Sequence, residues 1–131
     1  MIAASFVLVF GIGFMASYNQ NQPDSNLASV SPEMEKTQSF FVTTIHQEVE
    51  KLKSLQDGDT KKLVTDALNR LDLLEKDYEK LEEDLMNSGN DKRVINAMIN
   101  NFQSRIDILE RVITTIEEIK TLKANRNETI L

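Results

Sequence analysis

The pattern of apolar and polar positions changes character at Pro23. From Met1 to Pro23 there is no Asp, Glu, Lys or Arg, and Ile2 to Tyr18 is almost wholly apolar. Beyond it, apolar residues recur at helical spacing in sequence dense in Lys and Glu. Met34, Phe41, Ile45, Leu52 and Leu55, widened by Phe40, Val42 and Val49, predict a helix over about 32–56. A second run, Val64, Ala67, Leu71, Leu74, Tyr78, Leu81 and Leu85, alternates steps of three and four without a break and predicts a heptad helix over 60–87. A third, Ile95, Ile99, Phe102, Ile106, Leu109, Ile113 and Ile116, predicts one over 92–123. Second apolar edges (Leu63, Leu68 and Met86; Val94, Met98, Ile108, Val112, Ile119 and Leu122) suit helices that touch two neighbours.

Start and stop signals agree with these limits. Ser31 before Pro32 reads as a cap followed by a proline at the first helical position, and Glu33 meets the positive end of the helix dipole. Asp57-Gly58-Asp59 breaks the first helix, and Asp59 or Thr60 is placed to cap the second. Gly89 stops the second, and Asp91 caps the third. Pairs four apart, Asp66 with Arg70 and Asp72 with Lys76, add about 0.3–0.5 kcal/mol each. Tight breaks between long helices force an up-down-up course. The expected fold is all-α: an elongated antiparallel three-helix bundle, coiled-coil-like, over residues 31–123. About twenty large apolar side chains are available to its core, each contributing roughly 1.5–3 kcal/mol on burial.

The apolar start then decides where this domain works. A membrane-spanning helix needs about 20 mostly apolar residues, and residues 1–18 sit at the short end of that range. A secretory signal peptide is the rival, but it wants a basic start and small residues before the cleavage point. No Lys or Arg precedes this run, and Phe14 and Met15 put bulky side chains where small ones belong. A buried core helix is disfavoured by Gly11, Gly13 and the lack of a polar face. The expectation is an uncleaved transmembrane anchor, a flexible Asn/Gln/Ser linker over 19–30, the bundle, and a polar tail over 124–131.

The chain has 131 residues, no cysteine and a net charge of −6. An acidic balance without a basic stripe argues against nucleic-acid binding, which rests on neutralising phosphates. No disulfide or thiolate chemistry is possible. His46 stands alone: Glu50 occupies the position where a helical zinc-protease motif needs its second His, and Thr43 the position where a di-iron bundle needs Glu. Glu75, Asp77, Glu79, Glu82, Glu83 and Asp84 alternate with Lys76 and Lys80 and read as a solvated face rather than a cation site. Gly58 and Gly89 fall in turns, so no glycine-rich phosphate loop exists. Asn127-Glu128-Thr129 fits a glycosylation sequon. Asn100, Asn101, Gln103 and Arg105 form a polar patch midway along the third helix, either a partner surface or ordinary solvent-facing residues. The reading assigns no catalytic, cofactor-binding or metal-ligating residue, and no enzyme activity.

Two stretches resemble a known family. Ser31-Pro32-Glu33-Met34-Glu35 with Phe40-Phe41 and Ile45 is one. The more specific runs from Ser88-Gly89-Asn90-Asp91-Lys92-Arg93-Val94-Ile95 through Ala97-Met98-Ile99 and Asn101-Phe102-Gln103 to Arg105-Ile106-Asp107. Both resemble the extracytoplasmic part of small single-span anti-sigma factors, and the likeness covers nearly the whole chain. It implies a regulator in the cytoplasmic (inner) membrane with its bundle on the extracytoplasmic side. In that family a cytoplasmic segment holds a sigma factor away from RNA polymerase while the outer domain senses or restrains release. The sigma-binding segment is missing here: either the true start lies upstream of Met1 or the copy is truncated. It implies no ligand site. The alternative is an anchored structural or adaptor bundle that pairs with itself or another envelope protein.

Overall fold

The computed structural model describes residues 26–130, and among these the chain is all-helical. A 3₁₀ turn at Leu27–Ser29 leads into α1 (Pro32–Ser54), α2 (Lys61–Ser88) and α3 (Lys92–Ile130). No helix among the described residues is long and apolar enough to cross a membrane. The expected anchor at 1–18 lies outside the described residues.

The helix ends follow the local chemistry. Ser31 is extended, and its Oγ accepts from the Met34 amide at 3.1 Å, with Pro32 as the first helical residue. Glu33 and Glu35 occupy the first turn of α1, and Lys51 and Lys53 the last, as the helix dipole favours. Gly89 closes α2 in the left-handed conformation (φ 64°), joined by Asn90 at φ 67°. Asp91 Oδ1 then accepts from the Arg93 amide at 2.8 Å and caps α3. Thr60 precedes α2 as expected but makes no side-chain cap bond. Its hydroxyl turns back to accept from the Asp57 amide at 2.9 Å, while Asp57 Oδ1 accepts from the amides of Asp59 and Thr60. The turn is therefore tied inwardly, and Thr60 is buried within it.

α3 lies between the other two helices, which approach each other closely at few points. Phe41 pairs with Phe102 and Lys51 with Glu117 at 3.2 Å, so α1 and α3 run parallel. Tyr78 meets Phe102 while Asp59, at the start of α2, pairs with Lys123, so α2 runs antiparallel to α3. Asp57 reinforces that end through Lys120 at 3.6 Å. Of the expected pairs along α2, Asp72–Lys76 forms at 2.9 Å; Asp66–Arg70 is absent from the ion pairs among the described residues.

Three expectations need correction. The linker was expected to stay flexible to residue 30, yet Leu27 is wholly buried in the core, and the Ala28 amide donates to Gln38 Oε1 at 2.9 Å. Asn26–Val30 is a docked strap, because one large apolar side chain and one amide find partners on α1. The polar tail after Lys123 is instead the continuation of α3 to Ile130. Nothing in its sequence breaks a helix, and extending an existing helix needs no new nucleus. Finally, the buried line of α3 runs through Met98, Phe102, Arg105, Leu109, Ile113 and Ile116, leaving Ile95, Ile99 and Ile106 half-buried. A helix flanked by two neighbours buries the direction between them: from Leu109 to Ile116 this is the expected seam, while over the first half of α3 it lies one position away from that seam.

Candidate functional site

The unusual chemistry of this fold lies inside it. Where α1, α2 and α3 meet, Phe102 stacks on Phe41 with ring centroids 5.2 Å apart and planes 11° off parallel. Its other neighbour is the Tyr78 ring, at 4.7 Å and tilted by 50°. One turn further along α3, Arg105 is only 1% exposed. Its guanidinium carbon lies 5.4 Å from the Tyr78 ring centre and 5.3 Å from that of Phe102, within range of cation–π attraction. Arg105 Nη2 donates to the Leu74 carbonyl at 3.4 Å, and Asn101 Nδ2 donates to the same oxygen at 2.8 Å. Asn101 and Arg105 are four apart, so helical geometry stacks them on one face of α3.

Carboxylates from α2 complete the centre. Glu75 and Glu82 are half-buried. Burial pushes Glu75 above the usual carboxylate range against the pull of Arg105, with Glu79 and Asp72 adding to the rise. Glu82 is pushed up to about 7, first by burial and then by Glu79, against Arg105. Burial also raises the Tyr78 phenol, helped by Glu82. Arg105 is pushed downward by burial and held up by Glu75, Tyr78, Glu82 and Glu79; a guanidinium remains charged regardless. The Leu27 amide lies beside the Tyr78 hydroxyl, but no hydrogen bond of good geometry forms. Tyr78 Oη and Asn101 Oδ1 are thus buried oxygens without a hydrogen-bond partner among the described residues.

The other candidates stay apart. His46 is exposed on α1, as are Asp77, Glu79, Glu83 and Asp84 on α2. Among the described residues no three His, Asp or Glu side chains gather as a metal site requires. Asn127, Glu128 and Thr129 are exposed on the last turns of α3, where Thr129 Oγ1 donates to the Asn125 carbonyl. The amide-rich patch divides: Asn100 and Gln103 face solvent, while Asn101 and Arg105 are core residues. Two members of the acidic run, Glu75 and Glu82, likewise leave the solvated face. The signal for this was a polar pair four apart flanking an aromatic, opposite a seam containing a tyrosine. No family model, curated protein or solved structure matches this chain.

Proposed function

We propose that this chain is the outer sensing or restraining domain of an anti-sigma-factor-like membrane regulator, non-catalytic, held to the cytoplasmic membrane by residues 1–18 with its bundle on the extracytoplasmic side. The supporting observation is where the more specific resembling stretch falls. Ser88 to Asp107 supplies the left-handed turn, the Asp91 cap and the buried Asn101–Phe102–Arg105 centre. The residues that carry the likeness are therefore those on which the packing depends. The other stretch supplies the Ser31 cap and Phe41. Only Asn19 to Ser25 separate the apolar run from the docked strap, so a change in the bundle has a short route to the anchor. Its partners on this reading are the bilayer and a sigma factor, whose release proceeds by proteolysis in or near the span. Signal transduction then ends in transcription.

Two measurements in the native host test this. Carbonate-washed membranes should retain the protein, and protease added from the outer side should digest the bundle. Deleting the gene should raise transcription of one coherent sigma-dependent gene set. A protein washed free by carbonate removes the anchor, and an unchanged transcriptome removes the regulatory role. The anchored-adaptor reading draws on Phe40, 64% exposed beside the buried Phe41; a monomer in mild detergent counts against it.

A further inference from the structure

The seat of the Asn26–Val30 strap has the make-up of a peptide-binding site. Between Tyr18 and Val30 the chain offers one large aliphatic side chain, Leu27, and the core takes it up completely. The next residue, Ala28, is held through its main chain: its amide donates to Gln38 Oε1 of α1 at 2.9 Å. A second polar group faces the same stretch of main chain. Tyr78 is 8% exposed, its hydroxyl has no hydrogen-bond partner among the described residues, and the Leu27 amide lies beside it. Buried phenols normally find a partner, and the docked strap does not supply one. The strap itself is a closed unit. Asn26 Oδ1 accepts from the Ser29 amide at 3.1 Å, Ser29 Oγ donates to the Asn26 carbonyl at 2.6 Å, and the Val30 amide donates to the Leu27 carbonyl at 3.2 Å. The cap of α1 is made separately, by Ser31 Oγ accepting from the Met34 amide, so the strap can leave without unwinding the helix.

We propose that this seat is a binding site for a leucine-bearing peptide turn of a partner protein, kept occupied in cis by the strap. The chemistry of the ligand is read from the present occupant. It needs one leucine for the apolar seat, a following amide for Gln38 Oε1, and a main-chain group for Tyr78 Oη, the contact the strap leaves unmade. Burial of the leucine supplies attraction. Gln38 and Tyr78 fix the register, because a buried polar group left unpaired penalises any other. The strap is attached by one large side chain and one bond from main chain to side chain, little beside the packing of three helices, so it opens before the bundle does. An incoming peptide competes with this tethered rival, and its apparent affinity falls by the fraction of time the seat stands open. The site goes beyond the regulatory reading and needs neither a sigma factor nor a membrane.

The test uses the full chain in detergent micelles and, as probe, a capped peptide of residues 26–31. Leu27→Asp in the chain empties the seat. Titrating that variant with the peptide should shift the NMR signals of the Gln38 side-chain amide and the Tyr78 ring. The natural chain should bind the same peptide about tenfold more weakly or worse, because its own strap holds the seat. A peptide carrying Leu27→Asp should bind neither chain. No shift in the variant up to about 5 mM peptide, the range of effective concentration a short tether gives, overturns the proposal, as does equal binding by both chains. A dimer of the natural chain that Leu27→Asp abolishes would assign the seat to the strap of a second copy and overturn it too. Hydrogen exchange of the natural chain gives a further reading should the variant not fold. Ala28 should exchange about a hundredfold faster than Phe102, once corrected for intrinsic rates, since the strap opens alone. Equal protection at the two amides makes Leu27 an ordinary core residue and overturns the proposal.

Discussion

Replacing Arg105 by Met separates what the buried charge contributes from what it costs. Met has nearly the volume of Arg but ends short of the guanidinium position, so only a small cavity opens. Losing attraction to two desolvated rings costs about 1–2 kcal/mol, and the long bond to Leu74 about 1 more. Against this, the folded state no longer strips water from a guanidinium, a penalty of several kcal/mol that such attractions only roughly offset. The pH-independent part therefore falls near zero. The carboxylates decide the rest. Without Arg105 the Glu82 carboxyl rises further above about 7, because the one group lowering it is gone. Removing one partner of a fully buried pair costs about 3–5 kcal/mol, but a half-buried carboxyl escapes by taking a proton. At about 1.4 kcal/mol per unit of further rise, the loss should be about 1–2 kcal/mol at pH 8. At pH 5.5 Glu82 is protonated in both proteins, so the difference should shrink to near zero. The sign is that of a raised carboxyl: its stabilisation is complete at low pH and is lost as pH climbs through the folded value, further for the variant. Guanidinium unfolding of the full chain in mild detergent, followed by helical circular dichroism at both pH values, measures this. A cost independent of pH, or a gain in stability at pH 8, would refute the account of the centre.

Other substitutions probe the framework by the same assay. Ser31→Ala removes the acceptor of the Met34 amide and should cost about 1 kcal/mol. Gly89→Ala meets no atom within 4 Å of the added carbon, so only its positive φ opposes it, at about 1 kcal/mol; a loss above about 3 would mean that the turn is packed more tightly than described. Thr60→Val leaves the Asp57 amide without its acceptor inside a buried turn and should cost about 1–3 kcal/mol. The slowing of exchange at the Asp57 amide should vanish with it.

Helix identity and most limits were legible because each is written locally. Ser31-Pro32, Gly89 and Asp91 act within a turn of their own positions, and the α2 seam needs no knowledge of its partners. Val64, Ala67, Leu71, Tyr78 and Leu85 are buried as that seam requires. What escaped the sequence is non-local. A polar residue on an apolar stripe reads as its solvent edge unless something across the core receives it. Arg105 is received by Leu74 and Tyr78, some thirty positions earlier, and by the ring of Phe102. Leu27 was hidden for the same reason: one apolar residue in a polar stretch has no period, and its burial depends on a surface built by other elements. The continuation of α3 past Lys123 was missed because amphipathic period marks where a helix is packed, not where it ends.

Three helices among the described residues put the strap and the end of α3 at different levels of the bundle. The described chain begins at Asn26, at the level of Tyr78 and Phe102 inside the bundle, and its last described residues lie beyond Asp59 and Lys123. With 39 residues, α3 is about 58 Å long. The strap packs at the level of Phe102, so from it to Ile130 is 28 residues of helix, about 42 Å, a gap of roughly 12 extended residues at 3.3–3.6 Å each. A cargo fused after α3 would therefore ride on a stand-off of several nanometres from the strap.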